Sequence, residues 1–469
     1  MAFSSNFFIF AYLPVVLSIY FLSPGSLKNF VLLIASIAFY AFDAGPLIWL
    51  LVVSIVLNHF AGHAIARRLG TARRMIFATA VAINLGFLLY YKYAAFLWTT
   101  AAPVLSRAGL SVGQPPVIDL PIGISFFTFQ AISYIADIYT KRIVPARWLI
   151  DFGAYHSLFP QLIAGPIVRY VEIEQELYRN RGSLDGVADG LFRFCIGLGK
   201  KLILADTMGV LADSVFTLPG NELTLAIAWV GVIAYTLQIY YDFSGYSDMA
   251  IGLGQILGFH FPENFNQPYR AQSITEFWRR WHMTLSRWFR DYVYIPLGGN
   301  RISPKVTYCN LFIVFFLCGL WHGAGYTFIF WGLYHGFWLA AERMYVTHIG
   351  PLPTGPLAWA RTFLVVMIGW VFFRSSSIDQ ALQFLSTMTG LSSGTVVYYN
   401  LMWYLAPRNV FFILCGLSFA LFPFERFSMR LDGSPLQMNF KAIIAVAIFF
   451  YAVTMLQVNS FNPFIYFRF

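Results

Sequence analysis

Residues 308–344 read YCNLFIVFFLCGLWHGAGYTFIFWGLYHGFWLAAERM. The stretch is apolar almost throughout, yet it holds His322 and His335 well inside it. An apolar run of this length is a membrane span or a broken pair of half-spans. The break is expected at Trp321-His322, because Gly319, Gly323 and Gly325 surround it and glycine lets a helix loosen inside protein. From Tyr308, next to a basic loop, to His322 is ~21 Å at helical rise, beyond the middle of a ~30 Å hydrocarbon core. An ionisable side chain at that depth is costly and marks a functional site by default. The bland alternative is a polar residue that only ties helices together.

Composition points the same way. The chain has 469 residues, 58% hydrophobic and 19% aromatic, with 11% charged. Its mean hydropathy is +0.65. Soluble proteins carry about 25% charged residues, so this is no soluble globule. The expectation is a single membrane domain over residues 1–469: all-α, polytopic, with roughly ten to twelve transmembrane helices. Ala2–Leu22 lacks the basic start and cleavage site of a signal peptide and reads as a retained first helix. Cys195, Cys309, Cys318 and Cys415 are scattered without metal-type or disulfide-type spacing, and read as small buried hydrophobes. No metal site is expected. The net charge of +10 is what the positive-inside rule produces, and no nucleic-acid module accompanies it.

Spans are expected near 6–22, 29–42, 45–65 and 75–91, with Arg67, Arg68, Arg73 and Arg74 as a cytoplasmic mark. Residues 99–117 carry only Arg107 and read as an outside loop; 118–139 return inward. Residues 148–170 hold Pro160, Gly165 and Pro166 within apolar sequence, a sign of a broken or re-entrant element. A helical stretch over 186–216 carries Lys200 and Lys201, and the apolar run 223–258 carries Asp242 and Asp248. Further spans fall near 357–373, 408–423 and 440–457, with Arg426 and Arg430 in the last inside loop. Both termini are then expected on the outer side of the membrane.

Residues 276–301 read EFWRRWHMTLSRWFRDYVYIPLGGNR. Trp278, Trp281, Leu285 and Trp288 recur at helical spacing with Arg279, Arg280, Arg287 and Arg290 between them. The pattern predicts one amphipathic helix at the cytoplasmic interface, its tryptophans in the headgroup zone in contact with membrane lipid. His282 sits in its midst.

Together with LPIGISFFTFQAISYIADIY, FPQLIAGPIVRY, YYDFSGYSDMAIGLG, ENFNQPY, GLWHGAGYTFIFWGLYHG and the closing SFNPFIYFRF, this stretch resembles the membrane-bound O-acyltransferase family. Within it the chain is most similar to the bacterial polysaccharide O-acetyltransferases, and the matching pieces run in order from end to end. The resemblance implies re-entrant and interfacial helices around a central tunnel. It implies acetyl-CoA as a cytoplasmic acetyl donor, with no bound cofactor. It implies an extracytoplasmic acetyltransferase partner and a polysaccharide synthase complex, with an exopolysaccharide such as alginate or cellulose as acceptor. The histidine of the family's WHG motif falls on His322, and the polar upstream position on His282.

The chemistry suits those residues. An acceptor hydroxyl must lose a proton as it attacks the thioester, and a buried, neutral histidine can take it. His322 is the expected base. His282 polarises the thioester carbonyl, orients the pantetheine arm, or merely faces headgroups. Arg279, Arg280 and Arg287 would attract the phosphates of coenzyme A. Trp321 and Asn264 are expected at the substrate, Asn264 as a tunnel-lining residue with Arg169, Asn266 and Gln267. His335 lies ~220° from His322 on an uninterrupted helix and reads as a packing residue. His59 and His63, at i and i+4, lack a third ligand and read as interfacial. Asp242 and Asp248 read as structural, with a proton relay as the alternative. The string GLSSG at 390–394 spells G-x-S-x-G but reads as an ordinary loop, and no H-E-x-x-H motif is present. The rival classes are a proton-coupled transporter and a family member with another acceptor, such as teichoic acid.

The arginine distribution makes a topological prediction. A cysteine placed at position 290 should react with a membrane-impermeant thiol reagent only after the inner membrane is opened. Labelling in intact spheroplasts would reverse the assigned orientation.

Overall fold

The computed structural model describes residues 1–110, 113–179, 182–392, 394, 400–422, 435–458 and 464–465. Arg426, Arg430, most of the closing SFNPFIYFRF and part of the 390–395 loop lie outside the described residues. Every regular element among those described is helical. Among the described residues, six stretches are long and apolar enough to cross a membrane: Gly25–Arg67, Gly70–Arg107, Leu225–Ile256, Pro304–His322, Pro356–Arg374 and Asn439–Gln457. The fold is therefore all-α and polytopic. Two compact units divide the chain, residues 1–190 with 250–262, and 191–249 with 263–469.

The first unit opens with α1 (Leu13–Leu22), α2 (Lys28–Ala44), α3 (Ile48–Arg67), α4 (Gly70–Leu88), α5 (Ala94–Arg107) and α6 (Ile124–Tyr139). The expected outside loop at 99–117 is corrected by α5, which stays helical to Arg107 because Pro103 is the only breaker in an otherwise good helix former. α7 (Leu149–Ser157) and α8 (Phe159–Leu162) are broken at Leu158, and α9 (Tyr170–Tyr178) follows. Residues 151–168 are buried throughout, so this broken piece is held inside protein. Broken backbone is tolerated in an apolar environment only under such cover. Polar side chains meet partners in the unit's interior: Asn58 with Asn84, Ser54 with His156, and Asn29 with Asp151. His63 Nε2 bonds the Ala146 carbonyl at 3.1 Å, and its ring lies 4.7 Å from that of His59.

The chain then continues through α10 (Leu184–Gly199), a π turn at Lys200–Ala205, α11 (Asp206–Phe216) and α12 (Leu225–Ile256). The second unit goes on with α13 (Ile274–Arg280), α14 (Met283–Phe289), α15 (Pro304–His322), α16 (Tyr326–His348), α17 (Pro356–Arg374), α18 (Ile378–Met388), α19 (Leu401–Tyr404), α20 (Pro407–Leu421) and α21 (Pro435–Val458).

The stretch 308–344 is a helical hairpin. α15 ends at His322, three residues turn, and α16 begins at Tyr326. Gly323 and Gly325 are extended at the turn. A Cβ on Gly323 would overlap the Phe328 ring. Farther along, a Cβ on Gly319 would overlap the Phe328 carbonyl and one on Gly332 the Phe315 carbonyl. The two backbones touch, which is how small residues pack helices where lipid removes the usual hydrophobic drive. α15 is 19 residues long, about 28 Å at helical rise, so His322 lies at the far end of the helix from Ser303.

Two expectations need correction. Residues 273–290 are not one interfacial helix. The helix stops at Arg280, and His282 adopts a left-handed backbone, φ +43°, before α14 starts. Trp278, Trp281 and Trp288 are buried, packed against other rings instead of headgroups. Trp281 lies 4.9 Å from Trp370, and Trp278 5.7 Å from Trp331. The angular argument separating His335 from His322 also fails, because the turn at 323–325 interrupts the helix it assumed.

Gly332→Val should strain the hairpin, since the new side chain meets a backbone carbonyl that cannot swing away. Overpacking of this kind costs about 1–3 kcal/mol. Thermal unfolding of the detergent-solubilised variant should show a lowered midpoint; an unchanged midpoint would mean the helices can separate freely.

Candidate active site

The site is assembled from two helix ends and a coil. α15 delivers His322 as its last residue. The α13–α14 break delivers His282. The coil between α12 and α13 supplies Asn264, which is fully buried. Two backbone bonds tie that coil to the break: Asn266 N–H donates to the Arg280 carbonyl at 2.9 Å, and Met283 N–H to the Asn264 carbonyl at 2.9 Å. These bonds occupy groups that the interrupted helix leaves open.

His282 is fully buried and His322 2% exposed. Their ring centroids are 6.4 Å apart. That is too far for a ring-to-ring hydrogen bond and about the span of two hydrogen bonds sharing one oxygen. Trp321 closes one side, with its indole 5.7 Å from His282 and 4.9 Å from His322. Phe243 packs edge-on against His282 at 4.6 Å. Trp331 and Phe373 pack on His322 at 4.9 and 5.2 Å. His335 lies behind Trp331, 5.2 Å from it and 5.2 Å from Trp278, inside an aromatic cluster. The imidazole of His282, outside the candidate spans, has its pKa pushed down to about 3 by burial. It is therefore neutral at physiological pH.

Asn264 holds this arrangement by its side chain. Its amide oxygen meets His282 Nδ1 at 3.0 Å and accepts from the Thr284 hydroxyl at 2.9 Å and the Thr284 N–H at 3.3 Å. Its amide nitrogen donates to Ser247 Oγ at 3.1 Å. Glu342 of α16 fixes the start of α13, accepting from the Ile274 and Thr275 amides at 2.6 and 2.8 Å and from the Thr275 hydroxyl at 2.7 Å. A carboxylate at a helix N-terminus answers both open amides and dipole.

His322, His282, Trp321 and Asn264 thus meet in one place. The arginines stand differently. Arg279 is exposed on α13, Arg287 is half-buried on α14, and Arg280 is committed to Glu276 at 2.8 Å and to the Asn266 carbonyl at 3.2 Å.

The sequence reading missed the ion network below α12. Asp248 pairs with Arg193 at 2.9 Å and Lys200 at 2.6 Å. Lys201 bridges Asp206 and Asp242, each at 2.7 Å. Asp242 also accepts the Ile465 amide at 2.6 Å, and Phe464 packs on Phe243 and Tyr246. Two lysines of the π turn and Arg193 of α10 supply the opposite charges. The signal was available: two adjacent lysines in an apolar helix need carboxylates. Thr284 and Ser247 carried no such signal. Among the described residues, no three His, Cys, Asp or Glu side chains gather as metal ligands.

The sequence profile of the membrane-bound O-acyltransferase family matches residues 148–378, which include every residue of this site. A probable alginate O-acetylase of Azotobacter vinelandii is 39% identical, the alignment covering 100% of both chains. The chain belongs to the membrane-bound O-acyltransferase family. It is a multi-pass membrane acyltransferase. A probable alginate O-acetylase of Pseudomonas aeruginosa is 45% identical over 85% of this chain and 79% of its own. A peptidoglycan O-acetyltransferase of Helicobacter pylori is 38% identical over 85% of this chain and 82% of its own.

The two helix-α13 arginines should separate on mutation. Arg279→Gln, at an exposed guanidinium, should raise KM for the acyl donor several-fold with kcat little changed, as loss of uniform binding does. Arg280→Gln should chiefly loosen the α13 turn, by about 0.2–1 kcal/mol for a half-exposed pair. Equal KM effects from both would mean that Arg280 leaves Glu276 to bind donor.

Proposed function

We propose that this chain takes acetyl from cytoplasmic acetyl-CoA and passes it across a bacterial inner membrane for O-acetylation of an exopolysaccharide. The observation that carries the reading is the buried pair His282 and His322, 6.4 Å apart, each at a helix break. The acceptors named for the relatives, alginate and peptidoglycan, share one chemistry: a sugar hydroxyl becomes an ester.

The reaction needs little machinery. The thioester carbonyl is already activated. The acceptor hydroxyl attacks it, the C–S bond breaks, and the hydroxyl proton leaves with the base and ends on the coenzyme A thiolate. His322 is the base. Its ring is walled by Trp321, Trp331 and Phe373, a setting that excludes water that would hydrolyse the thioester. His282 is the second group at the reacting centre, across a gap that one oxygen can bridge. The donor's phosphates fall to Arg279 and Arg287, on α13 and α14. An extracytoplasmic acetyltransferase partner, associated with the polysaccharide synthase, completes the transfer outside.

Intramembrane histidines also suit a proton-coupled carrier. Membership of an acyltransferase family stands against that reading, and release of coenzyme A separates the two.

His322→Ala should leave insertion, folding and acetyl-CoA binding intact and abolish polymer acetylation. Removing a positioned base costs ~10²–10⁴ in rate, about 3–5 kcal/mol of barrier. The measurement is acetyl-CoA affinity of the purified variant beside acetyl ester content of the cell-surface polysaccharide. Near-normal ester content in a folded variant would remove His322 from the mechanism. Lost affinity would make it a donor-binding residue.

A further inference from the structure

We infer that Asn264 is a positioning residue that locks His282 in the Nδ1–H tautomer, so that Nε2 enters the reacting centre as a hydrogen-bond acceptor. The inference rests on the acyltransfer reading above and reassigns Asn264, which the sequence placed at the substrate.

The argument starts from a backbone amide. Thr284 N–H can only donate, and it points at one end of the Asn264 side-chain amide. That end must be the oxygen, since the NH₂ group would set donor against donor. The other end then carries the nitrogen, and it finds Ser247 Oγ at 3.1 Å. The assignment follows from the network. An amide oxygen can only accept, so His282 Nδ1, 3.0 Å away, must carry the hydrogen. In a neutral imidazole the other nitrogen then carries the lone pair. Among the described residues, no group hydrogen-bonds to His282 Nε2, although the atom is buried.

The backbone makes the same choice. Among the described residues, His282 is one of three non-glycine residues with positive φ, a strained conformation for this side chain. The bond from Met283 N–H to the Asn264 carbonyl holds that strain in place. One residue therefore sets both the position of the ring, through its backbone, and the proton on it, through its side chain.

The consequence is chemical. A neutral His282 in this tautomer offers Nε2 no hydrogen to give. It cannot polarise the thioester carbonyl by donating to it. It can accept from an O–H or N–H: the acceptor hydroxyl, or an amide of the pantetheine arm. Polarisation of the carbonyl falls to another group.

Asn264 is fully buried, its amide oxygen shared by His282 and Thr284 and its nitrogen turned to Ser247, so its acceptor is spent on the protein. It acts through His282, as the outer partners of ligating or catalytic histidines do; losing such a partner costs about 10–100-fold.

The test uses the full-length protein in detergent with ¹⁵N-labelled histidine. The His282 resonances are identified by their loss in His282→Gln. Protonated Nδ1 and bare Nε2 are expected; a protonated Nε2 would overturn the inference whatever the activity. Asn264→Leu should lower kcat for coenzyme A release about 10–100-fold at little-changed KM. Asn264→Asp keeps an acceptor for Nδ1–H, should recover most of the rate, and should move the acid limb of the kcat profile to higher pH, because a carboxylate stabilises the imidazolium. Leu and Asp variants equally impaired, with an unmoved pH profile, would reduce Asn264 to a structural role. If wild-type protein releases no coenzyme A, the acyltransfer reading fails while the tautomer measurement still decides this one.

Discussion

The interaction on which the site depends is the set of bonds between the Asn264 coil and the broken helix at His282. An uninterrupted helix through 273–290 would set His282 beside Trp278 and Leu285 with a right-handed backbone. The left-handed residue at the break gives the ring another direction, 6.4 Å from that of His322. A break in an apolar interior leaves amides and carbonyls without partners, and each costs several kcal/mol if left so. The coil supplies Asn266 N–H and the Asn264 carbonyl to that gap. Glu342 does the same at the front of α13. The break can persist because the coil answers the Arg280 carbonyl and the Met283 amide, and Ser286 the His282 carbonyl.

A second constraint sits on the other histidine. His322 ends α15, and Gly323 lets the turn after it lie against the Phe328 ring, where a Cβ would overlap. The hairpin's glycines bring the two backbones together, and the aromatic wall of Trp331 and Phe373 closes over the imidazole. A helix terminus is a good place for a catalytic group: it is rigid on one side and open on the other. Both histidines are presented in this way, one at the end of a long helix and one at the start of a short helix.

The ion network along α12 follows the same logic at greater expense. Lys200, Lys201, Arg193, Asp206, Asp242 and Asp248 lie in surroundings where a lone charge would be prohibitive. They are tolerated because each meets an opposite charge. Asp242 adds the Ile465 amide, which ties residue 465 to the helix that carries Phe243, a wall of the His282 pocket.

Much of this was legible from the chain alone. The long apolar runs dictated helices, since nothing else satisfies a backbone in hydrocarbon. Glycines beside Trp321 and His322 marked the hairpin turn, and Pro160, Gly165 and Pro166 the broken element near 158, because those residues have local conformational consequences. His322 and His282 stood out as ionisable groups among apolar neighbours. What only the tertiary structure decided is how the helix breaks point and which polar groups answer each other. The tryptophan-arginine pattern of 273–290 reads as a surface helix by periodicity. It is buried because Trp281 and Trp278 find Trp370 and Trp331 from distant segments. Asn264 is 18 positions from His282, and its role depends on Thr284 and Ser247 meeting opposite ends of one amide. Periodicity and spacing report on local backbone preference; the tautomer of a buried imidazole is set by whichever acceptor the folded chain brings to its nitrogen.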